Sequence, residues 1–255
     1  MKEPEERTIQ KNTEKNAAIV LAAGKGSRMH SRIQKQYMML GGYPLLYYSL
    51  KRFEEFRDVE QVVLVTGEAE ISHCREQIVE AYGFKKVRQI IPGGAERYHS
   101  VYNGLCALED CDYVWIQDGA RPFIDAAMLE RTMEAVRQYQ ACVVGMPVKD
   151  TIKISDAEQF ALQTPDRNRL WMVQTPQVFS YALIRKAYDR LFAGTYSGIT
   201  DDAMVVEQML GKKVKLVEGS YRNIKITTPE DLLTAEAFLR AVGAPDGKTG
   251  EKIKK

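Results

Sequence analysis

Ala17-Ala18-Ile19-Val20-Leu21-Ala22-Ala23-Gly24-Lys25-Gly26-Ser27-Arg28-Met29 is the stretch on which the fold turns. Its apolar half, 17–21, is short and uninterrupted, as in a strand buried on both faces of a parallel sheet. Its second half is a glycine-rich turn that breaks the strand at its carboxyl end. In open α/β sheets that end is where ligands bind. Glycines there let the backbone come close to a ligand and turn successive amides toward phosphate oxygens. The turn lacks the Gly-Lys-Ser/Thr ending of a P-loop and the G-x-G-x-x-G spacing of a dinucleotide site. Instead it carries cations within and after it, Lys25, Arg28, Arg32 and Lys35, a density that suits a triphosphate. The alternative is a plain glycine turn followed by a solvated basic stretch.

Outward from this turn, strands and helices alternate. Helices are predicted over Pro44–Phe56, Glu70–Tyr82, Ala95–Leu108 and Asp125–Tyr139. Strands are predicted at 62–66, 87–91, 113–117 and 142–146. This rhythm calls for an α/β fold: a Rossmann-like, mostly parallel sheet with right-handed crossovers and helices on both faces. After Pro147 the period changes to two. Thr151–Ile154 and Gln159–Gln163 flank Asp156-Ala157-Glu158 and read as a protruding two-stranded β-arm, about 147–165. Such a hairpin is marginal alone and needs something to pack on, most naturally a partner subunit. The rhythm then returns with a strand near Trp171–Thr175, helices at Tyr181–Phe192 and Asp202–Gly211, a strand at 214–217 and a helix at Pro229–Leu239. Residues 1–16 and 241–255 are polar and read as a disordered extension and a flexible basic tail around one domain, 17–240.

The 255 residues carry a formal net charge of +2. The last ten hold four lysines and two acids and so supply all of it. The body has no basic surplus, which argues against a nucleic-acid binder. No apolar run approaches membrane-spanning length, and the start is no secretory signal. Cys74, Cys106, Cys111 and Cys142 form no C-x-x-C pair, so buried reduced thiols and a cytoplasmic location are expected. His30, His73 and His99 show no metal spacing.

Asp118 ends an apolar strand and precedes Gly119-Ala120-Arg121-Pro122. A carboxylate at a strand tip suits Mg²⁺ when phosphates complete the shell; a turn or cap aspartate is the alternative. Arg121 beside it could bind an anion or pair with Asp118. Arg167, Thr175, Thr200 and Lys225 carry little signal alone, and Thr200-Asp201-Asp202 reads as an N-cap before a helix.

Together these segments resemble the 2-C-methyl-D-erythritol 4-phosphate cytidylyltransferase family. The resemblance rests on the 22–29 loop, Lys35-Gln36-Tyr37, Gly93-Gly94-Ala95-Glu96-Arg97, Asp118-Gly119-Ala120-Arg121-Pro122-Phe123, Pro147-Val148-Lys149-Asp150-Thr151, Gln174-Thr175-Pro176-Gln177, Thr200-Asp201-Asp202-Ala203, and Val217-Glu218-Gly219-Ser220 with Asn223-Ile224-Lys225. They run in family order over roughly 17–240. Ala95, Gln117 and Gln34 depart from the aspartate, histidine and proline found there in other members.

The resemblance implies a Mg²⁺-dependent transfer of cytidylyl from CTP to 2-C-methyl-D-erythritol 4-phosphate, by a homodimer whose β-arm reaches the partner's site. It implies that Ala22, Ala23, Gly24, Lys25, Gly26 and Ser27 cradle the triphosphate and that Gly94 and Ser100 lie around the base and ribose. Arg28 and Lys35 would stabilise the transition state, and Asp118 would hold the metal. Lys225 and Arg167 would position the attacking phosphate, Arg167 coming from the neighbouring subunit with Thr151. Arg121, Thr175 and Thr200 would be substrate-side contacts. A ribitol 5-phosphate cytidylyltransferase, a more distant sugar-1-phosphate nucleotidyltransferase and a silent nucleotide-binding regulator are the competing expectations.

Overall fold

A seven-stranded sheet organises the computed structural model, which describes residues 14–24, 26, 29, 33–194 and 196–241. In chain order the first half comprises β1 (Asn16–Ala22), β2 (Met39–Leu40), β3 (Tyr43–Pro44), α1 (Leu45–Glu55), β4 (Gln61–Thr66), α2 (Ile71–His73), β5 (Val87–Pro92), α3 (Arg97–Ala107) and β6 (Tyr113–Asp118). The second half comprises α4 (Ala126–Tyr139), β7 (Ala141–Pro147), β8 (Ile154–Ser155), β9 (Ala161–Gln163), β10 (Trp171–Ser180), α5 (Tyr181–Ala193), α6 (Asp202–Leu210), β11 (Lys215–Glu218) and α7 (Pro229–Ala241). The sheet order is β11-β7-β10-β6-β1-β4-β5. Neighbours are parallel except at β10, which runs antiparallel to both β6 and β7. The fold is the expected Rossmann-like α/β sandwich, with β8 and β9 as the arm.

Strand alternation builds the two cores. Ala18, Val20, Leu64 and Trp115 face the layer of α1 and α4, whereas Ala17, Ile19, Val63 and Ile116 face α3, α5 and α6. Ile19 and Trp115 are fully buried. Each such large apolar side chain stabilises the fold by about 1.5–3 kcal/mol. The Trp115 indole N–H donates to Thr132 Oγ1 at 3.0 Å, which satisfies the one polar atom that burial strands. A smaller cluster of Leu40, Leu45, Ile226 and Ala235 docks α7. α4 starts where Asp125 accepts the Met128 N–H and ends at Gln140, which adopts a left-handed φ of 66°.

Several local expectations change. β1 begins at Asn16, inside the stretch assigned to the extension, and Glu14 and Lys15 pair with Arg137 and Asp110. The helix predicted from Glu70 is one α-turn, α2, continued by a π-helix over Cys74–Glu80, with Cys74 and Ile78 kept on the core side. All four cysteines are free, but Cys106 is exposed, because only one face of α3 meets the sheet. The arm's strands are shorter than predicted: Ile154 pairs with Gln163 and Ser155 with Ala161, and Thr151 to Lys153 have no strand partner among the described residues. Asp156 closes the arm's turn by accepting from the Glu158 and Phe160 amides. Ile152, Ile154, Phe160 and Leu162 stay exposed along it. Among the described residues, no helix is long and apolar enough to cross a membrane.

Candidate active site

β1 and β6 are adjacent and parallel, with Leu21 opposite Asp118, so the loop after β1 and the Asp118 carboxylate emerge side by side. A cavity of about 340 Å³ opens there. Ala22, Ala23 and Gly24 form one wall, Gly94, Arg97 and Ser100 another, and Lys35, Asp118 and Lys225 line it as well. A Cβ added to Gly24 would meet nothing within 4 Å, so this stretch of backbone faces open space, as close ligand approach requires. Gly26 takes a left-handed φ of 62°. Lys25, Ser27 and Arg28 lie outside the described residues.

Local bonds explain how these groups are held. Gly93 packs so tightly that a Cβ would come within 2.5 Å of Ala23 Cβ. Ser100 Oγ accepts the Gly94 N–H at 3.0 Å and donates to the Glu96 carbonyl at 3.3 Å, so it shapes the Gly93-Gly94 turn as well as lining the cavity. The buried Gln36 amide donates to the Ala22 carbonyl at 2.6 Å. It thereby ties the 3-10 turn bearing Lys35 to the end of β1.

A second cavity of about 270 Å³ adjoins the first, sharing Arg97, Asp118 and Lys225 and adding Arg121, Thr175 and Thr200. Asp118 therefore stands between two compartments. Its Oδ2 lies 2.9 Å from Lys225 Nζ and 3.6 Å from Arg121 Nε, and its Oδ1 lies 3.3 Å from Arg97 Nε. Burial opposes ionisation of Asp118, yet the charges of Arg97, Lys225 and Arg121 outweigh it and hold the carboxyl well below the usual carboxylate range. Arg97 also forks onto Asp202, with Nη1–Oδ1 at 2.9 Å and Nη2–Oδ2 at 2.8 Å. Asp202 is fully buried and accepts the Tyr188 hydroxyl at 2.6 Å.

Backbone bonds fix the wall of the second cavity. The Asp118 N–H donates to Thr175 Oγ1 at 3.0 Å, beside the cis Thr175–Pro176 bond. Asn223 Nδ2 donates to the Thr175 carbonyl at 2.8 Å, and Arg121 Nη1 donates to the Asn223 carbonyl at 2.7 Å. The Ile226 N–H donates to the Ala120 carbonyl at 2.9 Å, so Lys225 is held from both sides. Asp201 caps α6 by accepting the Met204 N–H, the bland role read for it. Thr200 is exposed at the rim.

The sequence-derived set thus divides. Ala22, Ala23, Gly24, Lys35, Gly94, Ser100, Asp118, Arg121, Thr175, Thr200 and Lys225 surround the two cavities. Arg167 and Thr151 do not join them: both are exposed, and Arg167 Nη1 donates to the Lys149 carbonyl at 3.2 Å at the arm's base. Arg97, Asp202 and Gln36 went unassigned. All three sit inside the segments that carry the resemblance, but the Arg97–Asp202 pair joins positions 105 apart, which no local pattern reveals.

Among the described residues, no three acid, His or Cys side chains cluster to hold a metal by themselves. Asp118 is a single hard oxygen donor at the junction of the cavities. It fits a divalent cation whose remaining ligands are phosphate oxygens and water.

Phosphate-sized charge compensation, a glycine-lined cavity and an adjoining second cavity are shared by many nucleotidyl-transferring enzymes, and comparison with known proteins narrows the choice. The family model of 2-C-methyl-D-erythritol 4-phosphate cytidylyltransferase (IspD) matches residues 16–241. The enzyme of that name from Lachnospira eligens is 51% identical over 226 residues, covering 88% of this chain and 99% of the relative. The crystal structure of 4-diphosphocytidyl-2C-methyl-D-erythritol synthase from Anaerococcus prevotii superposes with a TM-score of 0.79 at 33% identity, covering 89% of this chain and 96% of the other. That of the Thermus thermophilus cytidylyltransferase gives 0.68 at 33% identity, covering 89% and 99%. The chain belongs to the IspD family and is a cytidylyltransferase of the isoprenoid-pathway type.

Proposed function

We propose that the chain transfers cytidylyl from CTP to 2-C-methyl-D-erythritol 4-phosphate, releasing pyrophosphate, and that it does so as a cytoplasmic homodimer. The observation that carries this reading is Asp118 with its three cations at the junction of two cavities. The names of the relatives supply the nucleotide and the acceptor.

In this reading CTP occupies the cavity under the β1 loop and the acceptor phosphate occupies the second. An oxygen of that phosphate attacks the α-phosphorus. A new P–O bond forms at the α-phosphorus, the bond from that phosphorus to the α,β-bridging oxygen breaks, and pyrophosphate leaves with that oxygen and the electron pair. The attacker is already anionic, so no strong general base is needed. The barrier lies in bringing two anions together and in charge growing on the α-phosphoryl oxygens. Preorganised cations address both. Lys35, with Arg28, would meet the triphosphate, and Lys225 would orient the acceptor. Asp118 would hold Mg²⁺, which when bound would supply further charge neutralisation. The exposed apolar arm supports the dimer, in which Arg167 and Thr151 of one subunit would complete the other's acceptor pocket.

Pyrophosphate release measured with CTP and Mg²⁺ tests the reading. Release with 2-C-methyl-D-erythritol 4-phosphate is the expected result. Release with ribitol 5-phosphate alone would replace the acceptor, and no release with any alcohol phosphate would favour a silent nucleotide-binding protein.

A further inference from the structure

Arg97 opens α3 and lines both cavities, yet the reaction described above gives it no part. Its guanidinium is spread over two carboxylates. Both Nη atoms fork onto Asp202, and Nε reaches Asp118 Oδ1. Asp202 is in turn held by Tyr188 and, through its own N–H, by Gln177 Oε1 at 3.0 Å. Gln177 lies on β10 and also accepts from the Ala203 N–H and donates to Asp201. A continuous set of bonds therefore runs from the central sheet through the start of α6 to one oxygen of Asp118.

Stability is a poor explanation for this arrangement, because a buried ion pair is often matched or bettered by apolar side chains of the same volume. Geometry is the better one. A planar guanidinium clamped by a bidentate partner presents its Nε–H in one direction, which a lysine ammonium cannot do. Asp118 Oδ1 is thereby held, while Oδ2 is shared by Lys225 and Arg121, the groups that line the acceptor cavity. Asp202 also cancels one of the three positive charges beside Asp118.

We propose that Arg97, locked by Asp202 and Tyr188, is a positioning residue that fixes Asp118 through Oδ1, so that Oδ2 alone exchanges partners when phosphates enter. The inference rests on the reading of Asp118 as the carboxylate that would hold Mg²⁺ at the junction of the two cavities.

The test compares full-length wild type with Arg97→Lys and Tyr188→Phe. Three quantities are read: kcat and KM by pyrophosphate release, the Mg²⁺ dependence of CTP binding by calorimetry without acceptor, and Tm. Losing a charge-assisted bond that aligns a reacting group lowers rate by about 10–100-fold, so Arg97→Lys should lower kcat by that factor. The Mg²⁺ concentration for half-maximal CTP binding should rise at least severalfold, and Tyr188→Phe should shift both quantities the same way by less. Losses that merely follow the unfolded fraction, or a kcat and Mg²⁺ dependence within twofold of wild type, would overturn the proposal. If wild type turns over no acceptor, the enzymatic reading fails, and the binding comparison still judges Arg97. CTP binding by wild type that ignores Mg²⁺ would overturn both.

Discussion

Replacing Asp118 by asparagine keeps the shape of the side chain and removes the one charge that three cations share. Lys225 Nζ lies 2.9 Å from the carboxylate, and at an effective dielectric of about 20 that pair is worth about 6 kcal/mol of Coulomb energy. Desolvation of the nearly buried carboxylate takes much of this back. Lys225, with 36% of its side chain exposed, can also turn toward water. The net loss expected is about 3 kcal/mol, the low end for breaking a buried pair. In a domain of this size that lowers Tm by about 6–12 °C. The pH dependence has a definite sign. The folded carboxyl titrates well below its ordinary value of 3.8, so its contribution is complete above that pH and is lost as pH falls through the folded pKa. The difference between wild type and variant should stay constant from neutrality down to about pH 4 and narrow by about 1 kcal/mol at pH 3. Calorimetric melts across this range check it. A gap under 1 °C at pH 7, or one that widens in acid, would refute the charge argument. Pyrophosphate release by the same variant should fall roughly 10³-fold, as when a preorganised transition-state contact is lost.

Gly93→Ala would drive a methyl to 2.5 Å from Ala23 Cβ and 2.8 Å from Ser100 Oγ, so the β1 loop must shift; a raised KM for CTP with smaller change in acceptor KM is expected from steady-state kinetics. Arg167→Ala and Lys225→Ala should each be nearly inactive. If Arg167 serves the partner's site, unfolding and refolding them together at equal amounts restores about a quarter of the sites, since half of randomly assorted dimers are mixed and each has one intact site; no recovery despite dimer exchange would argue for sites built within one chain. Trp115→Phe removes the bond to the buried Thr132 hydroxyl, and a loss of about 1–3 kcal/mol in urea unfolding is expected with kcat unchanged.

Local pattern carried the layered fold far. The run 17–21 and the apolar strands at 62–66 and 113–117 sit within a residue of β1, β4 and β6 because burial on both faces leaves an unmistakable composition. Strand direction leaves no such trace. Trp171–Ser180 reads the same whichever way it runs, and only its pairing with β6 and β7 makes it antiparallel. The arm was visible as alternation, but alternation does not reveal how far two strands pair, and among the described residues of the arm only Ile154–Ser155 and Ala161–Gln163 do so. At the site, Asp118 was visible as an acid ending an apolar strand. Arg97, Asp202 and Tyr188 were not, since a buried charge network has meaning only once distant segments meet.

The arm leaves the sheet from β7 and returns into β10, and these two strands are neighbours. At its root the Val148 N–H donates to the Leu170 carbonyl at 3.0 Å, so the two ends of the excursion already touch. A segment joined in this way is a cassette: it can be lengthened, shortened or exchanged without moving β1, β6 or the cavity beside Gly24. If the arm completes the acceptor side as proposed, variation within it would be a route to new acceptors that leaves the β1 end of the sheet unaltered. Grafting the 148–170 segment of a relative with a different acceptor tests whether the arm sets that choice.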